Sequence, residues 1–179
     1  MKLFIACSSS NDIDLKYLDD SYLLLKELLK DNDLVYGAYN NGIMKVAYDL
    51  ARTYNRKILA ITTNNYEYEL NDIDCEYKKC TDNIYRRSEA LVEQSDIVII
   101  LPGGIGTITE LISSIETMRN NEFNKPILIY NVHGFYDEFL EFMDKIYKLR
   151  FSNIKDKDYY QVFNSKEELI KWIDKYKEV

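Results

Sequence analysis

The chain has 179 residues, a length that suits one domain built around one hydrophobic core. Apolar residues at 46% and charged residues at 30% exclude a disordered chain, and 2 Pro with 6 Gly exclude linker-dominated and collagen-like architectures. A net charge of −7 leaves no broad cationic field for a nucleic acid, so an anionic ligand must be held by local donors.

Met1-Lys2 leads directly into Leu3 to Cys7, a run too short for the apolar core of a signal peptide but suited to a buried strand. Leu15 to Leu29 has helical period, with Leu18, Tyr22, Leu25 and Leu29 on one face. A strand at Leu34 to Tyr36 follows, then a helix at Ile43 to Tyr54 carrying Ala47, Leu50 and Ala51 inward. Next come a strand at Ile58 to Thr62, a helix at Ile84 to Val92 and a strand at Ile97 to Leu101. A helix at Ile108 to Met118, a strand at Ile127 to Val132 and a helix at Phe135 to Leu149 continue the alternation. A strand at Tyr160 to Phe163 and an amphipathic helix at Leu169 to Tyr176 close it.

Strands alternating with helices imply right-handed crossovers and a mostly parallel sheet with helices on both faces. The expected fold is α/β, a doubly wound Rossmann-like sheet, in a single domain over residues 1–179 without linker or repeat. No run approaches the roughly 18 apolar residues of a membrane helix, so no membrane partner is expected. Cys7, Cys75 and Cys80 are odd in number, with no export signal, and read as reduced thiols of a cytoplasmic protein. His133 is the one histidine, far from the cysteines, so no metal centre is expected.

In such sheets ligands bind beyond the carboxyl ends of the strands, where the strand order reverses. Three small or polar turns fall there: Ser8, Ser9 and Ser10 after the first strand, Gly37 to Gly42 after the second, and Pro102 to Thr107 after the strand ending at Leu101. Gly103, Gly104 and Gly106 allow close backbone approach and positive φ where needed. Thr107 is expected to open a helix whose first N–H groups have no internal partners, a place for a phosphate that needs no lysine. The spacing is not that of a Walker loop, and no Lys precedes Thr107. Thr107 and Glu110 fit a capping box; equally, Glu110 is a carboxylate one turn into this helix that could face the cleft and orient a water or stabilise a cationic transition state. Arg86 and Arg87 diverge by about 100° on a helix, so only one can enter the cleft, where its fork would match phosphate oxygens.

Pro102 to Glu110 resembles the P-G-G-x-G-T-x-x-E motif of the LOG ("Lonely Guy") family, the cytokinin riboside 5′-monophosphate phosphoribohydrolases often labelled lysine decarboxylases. The likeness includes Arg87, Leu91, Ser95 and Asp96 upstream and Lys125-Pro126-Ile127 downstream. It extends to the stretch from Asn131 to Asp137, to Gly42-Ile43-Met44 and to Val35-Tyr36-Gly37. The resemblance implies Arg87 and Glu110 as the catalytic pair and a 5′-phosphate held by Gly103, Gly104, Gly106 and Thr107. Ser8, Ser9, Gly37, Tyr39, Asn40 and Met44 would complete the substrate site. The implied reaction is hydrolysis of the N-glycosidic bond of a nucleoside 5′-monophosphate, with no cofactor and with a homodimer or larger homo-oligomer as the assembly. A pyridoxal-type decarboxylase would need a Schiff-base Lys, and none adjoins the glycine turn.

The chain departs from the family at Ala38 and Tyr39, where the family has glycines, and at Lys45 and Ser88. These changes fall on the base and ribose side rather than the phosphate side. The alternative they leave is a non-catalytic nucleotide-binding or sensing protein of the same fold.

Overall fold

The central strands read as unbroken apolar runs because both of their faces are covered, the pattern of a parallel sheet. In the computed structural model, which describes residues 1–178, β1 (Lys2–Ala6) and β5 (Ile97–Ile100) are such runs and lie side by side. The sheet has seven parallel strands in the order β4-β3-β2-β1-β5-β6-β7, with β2 at Asp33–Tyr36, β3 at Ile58–Thr63, β4 at Tyr77–Thr81, β6 at Ile127–Tyr130 and β7 at Tyr160–Phe163. Leu3 pairs in register with Leu34 on one side and Ile97 on the other. The chain winds outward from β1 to β4, then restarts at β5 on the opposite side of β1. The order therefore reverses between β1 and β5.

Helices cover both faces. On one, α1 (Leu15–Leu28), α2 (Gly42–Thr53) and α6 (Lys166–Lys177) bring Leu24, Leu25, Ala47, Ala51, Leu169 and Ile173 against Leu3, Ile5, Leu34 and Ile99. On the other, α3 (Ile84–Glu93), α4 (Ile105–Arg119) and α5 (Asp137–Lys148) pack Ala90, Leu91, Leu111, Ile115 and Phe139 against Phe4, Ala6, Val98 and Ile100. The fold is the doubly wound α/β domain expected. Among the described residues, no helix is long and apolar enough to cross a membrane.

Three differences from the sequence expectations have local causes. β4, Tyr-Lys-Lys-Cys-Thr, lacks an apolar run because it is an edge strand, where the exposed Lys78 and half-buried Lys79 discourage further pairing. A 3-10 segment at Asn64–Leu70 fills the connection after β3. Finally, α4 starts at Ile105, with Gly104 as its N-cap residue, so Thr107 stands inside the first turn rather than opening the helix.

Two family-like stretches are structural. The Lys125 ammonium donates to the carbonyls of Val92, Glu93 and Ser95 at 2.7, 2.7 and 2.6 Å, capping the end of α3 and setting the entry to β5. The Asn131 side chain accepts from the Tyr136 N–H at 2.7 Å and donates to Asp137 at 2.8 Å, while the Tyr136 hydroxyl donates to the Leu101 carbonyl at 2.7 Å. The turn after β6 thereby braces the end of β5, from which the glycine turn departs.

Candidate active site

The three turns named from the sequence meet at the reversal point. The Ser8 N–H donates to the Pro102 carbonyl at 3.1 Å, and the Met44 N–H donates to the Ser8 carbonyl at 3.2 Å. Gly42, at φ +56°, packs against the Ser8 and Ser10 backbone so closely that a Cβ would clash with the Ser10 carbonyl. Here glycine is required both by its conformation and by contact.

Together these turns enclose a cavity of about 450 Å³. Of the residues named from the sequence, Ser8, Ser9, Tyr39, Met44, Arg87, Gly104, Gly106, Thr107 and Glu110 line it. Gly37, Asn40 and Gly103 do not. Asn40 is exposed, whereas the two glycines stand behind the wall. A Cβ on Gly37 would overlap the Arg87 guanidinium, and one on Gly103 would overlap the Thr107 side chain. Sequence reasoning missed Cys7, Thr62, Thr63, Tyr66, Ile84 and Ile105 as lining residues. The signal for the β3 side was its position beside β2 in the sheet, which chain order alone does not reveal.

The floor carries an ion pair. Asn83 caps α3 by accepting from the N–H groups of Tyr85 and Arg86, both at 3.0 Å, and this fixes the helix phase. Arg87 then points inward and is 5% exposed, while Arg86 faces solvent and pairs with Glu89 at 2.8 Å. The Arg87 guanidinium donates through Nη1 to Glu110 Oε1 at 2.8 Å, through Nε to the Ile61 carbonyl at 3.2 Å and through Nη2 to the Gly37 carbonyl at 3.4 Å. Of its five N–H groups two remain, enough for a ligand oxygen.

Glu110 is 3% exposed. The capping box read from Thr107 and Glu110 is not formed: the N-cap is Gly104, without a side-chain cap bond, and the carboxylate is taken by Arg87 instead. Burial pushes the Glu110 carboxyl above the ordinary carboxylate range, and Arg87 opposes that shift. Burial beside Glu110 also pushes the Cys7 thiol up, which keeps it protonated and poorly nucleophilic.

Above this floor lies the start of α4. Its first intrahelical bond is from the Ile108 N–H to the Gly104 carbonyl at 3.1 Å, so the N–H groups of Ile105, Gly106 and Thr107 precede the ladder. The turn achieves this without left-handed backbone, because among the described residues the glycines with positive φ are Gly42 and Gly134. A Cβ on Gly104 or Gly106 would meet nothing within 4 Å. Nothing in the fold itself demands glycine at these two positions; a ligand resting on the backbone would. No lysine lines the cavity among the described residues.

With this geometry in place, comparison with known proteins is informative. Residues 44–173 match the family profile described as "Possible lysine decarboxylase". An Oryza sativa subsp. japonica protein named probable cytokinin riboside 5′-monophosphate phosphoribohydrolase is 28% identical over 177 residues, 98% of this chain and 72% of the relative. A similarly named Arabidopsis thaliana protein is 31% identical over 144 residues, 79% of this chain and 71% of the relative. Among solved structures, the molybdenum cofactor carrier protein of Chlamydomonas reinhardtii aligns with a TM-score of 0.68 at 14% identity, covering 97% of this chain and 95% of that one. The molybdenum cofactor binding protein of Rippkaea orientalis aligns equally well, at 17% identity over 98% and 96% of the two chains. At those identities the two structures speak for the fold alone.

Proposed function

The chain belongs to the LOG family, the group matched by the possible lysine decarboxylase profile, and on that premise we propose that it hydrolyses the N-glycosidic bond of a nucleoside 5′-monophosphate. The products are the free base and ribose 5-phosphate. The observation that carries this reading is the buried Arg87–Glu110 pair set beneath the start of α4. The N–H groups of Ile105, Gly106 and Thr107 hold the 5′-phosphate, and the helix dipole sets its positive end toward that anion. The Glu110 carboxylate lies against the ribose, where positive charge develops as the base departs with the bonding pair. It accepts a proton from the water that adds at the anomeric carbon, and the departing base takes up a proton in exchange, through solvent, so that Glu110 ends ionised again. Arg87 keeps that carboxylate oriented and lends its two remaining N–H groups to substrate oxygens.

Purified protein incubated with AMP and with prenylated AMP should release the base together with ribose 5-phosphate. Absence of base release from both at high enzyme concentration contradicts the reading.

The open space at the glycine turn gives a second expected result. Gly106→Ala should stabilise α4 by about 0.5–1 kcal/mol, because Ala is the better helix residue. It should also weaken ribose 5-phosphate binding at least tenfold, since the methyl group occupies the anion's place. Gly37→Ala should behave differently, displacing Arg87 and losing turnover. Calorimetric binding and thermal melts separate the two behaviours; unchanged phosphate affinity in Gly106→Ala would remove the glycine turn from the site.

A second concavity of about 780 Å³ between α3 and α4 supports a homodimer. Its lining includes Tyr85 at 78% exposure, Ile105 at 82% and Ile112 at 40%, beside Val92 and Ile108. Ile105 belongs to this surface and to the catalytic cavity alike. An apolar face continuous with the site is suited to a second copy of the chain, which would bury these side chains and wall the cavity. Light scattering should give twice the 21.2 kDa chain mass, and Ile112→Arg should return it to a single chain.

A further inference from the structure

Two tyrosines at the cavity rim have no part in the chemistry of Arg87, Glu110 and the glycine turn. Tyr39 follows β2, and Tyr66 lies in the 3-10 segment after β3; both line the cavity. Their ring centroids are 5.4 Å apart with planes inclined at 60°, and Tyr66 continues to Tyr68 at 6.2 Å. Tyr66 leaves 43% of its surface exposed beside the cavity, and its backbone, at φ −121° and ψ 21°, interrupts the 3-10 segment at that residue. Ala38, just before Tyr39, is fully buried in the left-handed region at φ 66°, a strained conformation for a residue other than glycine. The loop thus tolerates strain to present Tyr39 at this place.

Sheet order gives the ligand a direction. The strands that end at the cavity run β3, β2, β1, β5, and at about 4.8 Å between neighbours the β3 edge lies roughly 14 Å from β5. The aromatic pair stands at the β3–β2 end and the glycine turn at the β5 end. Arg87 lies beneath the span, bonded to carbonyls of β3 and of the turn after β2 and to Glu110 on α4. An elongated ligand with an anion at one end and a flat ring at the other matches this layout, with its central bond over the ion pair.

We propose that Tyr39 and Tyr66 are the base-recognition platform of this site, stacking on a purine ring and selecting purine over pyrimidine monophosphates. The proposal rests on the hydrolase reading above. Stacking on an aromatic face needs only a π surface, and the larger purine offers more of it.

The test is calorimetric titration of AMP, UMP and ribose 5-phosphate into the wild-type protein and into Tyr66→Ala, Tyr66→Phe and Tyr39→Ala, the AMP and UMP affinities being compared in a Glu110→Gln background that suppresses turnover, with melting temperatures recorded. In Tyr66→Ala, AMP should bind about 5- to 100-fold more weakly, while ribose 5-phosphate binding stays within twofold. The preference for AMP over UMP should collapse in the same variant, and Tyr66→Phe should restore it. Tyr39→Ala should repeat the pattern in a second loop. Unchanged AMP affinity in both alanine variants, with ribose 5-phosphate still bound, overturns the platform and leaves the phosphate site standing. Equal loss of AMP and ribose 5-phosphate in folded variants also overturns it. If the wild-type protein binds none of the three ligands, the hydrolase reading fails and the platform fails with it.

Discussion

Glu110→Gln should lower kcat by about 10²–10⁴-fold while leaving AMP affinity within a few-fold. The amide keeps an oxygen to accept from Arg87 Nη1 but carries no charge for the developing cation and no basic lone pair for a proton. A role in helix capping predicts the opposite, because Gln serves a capping box as well as Glu. The pH profile adds an independent readout. Burial raises the Glu110 pKa above its ordinary value of 4.5, and the ionised form is the working one. Activity should therefore appear as pH rises through that raised value and vanish below it, so the acid limb should lie above 4.5. The residual activity of Glu110→Gln should lack this limb. Full activity in the Gln variant, or an unchanged acid limb, would remove Glu110 from the chemistry.

Arg87→Ala should be costly to the fold as well as to the reaction. It leaves Glu110 buried without its counter-charge and deprives the Ile61 and Gly37 carbonyls of a donor. Breaking a buried pair from one side costs about 3–5 kcal/mol, which for a chain of this size lowers Tm by roughly 6–20 °C. Arg87→Lys should recover only part of this, because an ammonium cannot span β3, the turn after β2 and α4 with one planar fork. The informative variant is the double substitution Arg87→Met with Glu110→Leu. Replacing both charges with apolar side chains of similar volume is often neutral or stabilising. The double variant should melt near or above the wild-type temperature and be inactive. That outcome shows a pair kept for function at the expense of stability. A double variant as unstable as Arg87→Ala would instead make the pair a structural element.

Much of this was legible in the chain because the signals are local. Buried parallel strands are apolar on both faces, so Leu3 to Cys7, Ile58 to Thr62 and Ile97 to Leu101 stand out as runs, and the alternation with amphipathic helices implies the doubly wound sheet. The glycine turn and the residues after β1 were readable for the same reason: ligand sites in such sheets sit at strand ends, and strand ends follow from the runs. The edge strand β4 was not readable, since its two lysines break the apolar signal that burial creates elsewhere. Nor was Tyr66, which no local pattern distinguishes from the other tyrosines.

The sequence by itself determined the alternation of elements, the side of the sheet where a ligand would sit, and the geometric limit that only one of Arg86 and Arg87 could enter the cleft. Periodicity and helical angle carry those conclusions without any long-range contact. Tertiary structure alone decided which partner Glu110 takes, since a carboxylate near a helix start can cap its own helix or reach across to another element. The Asn83 cap turns Arg87 inward, carbonyls of β3 and of the turn after β2 fix its guanidinium, and the buried charge draws Glu110 away from the helix end. Burial makes that choice: inside the protein an unpaired guanidinium is far more costly than an uncapped N–H that opens onto a cavity.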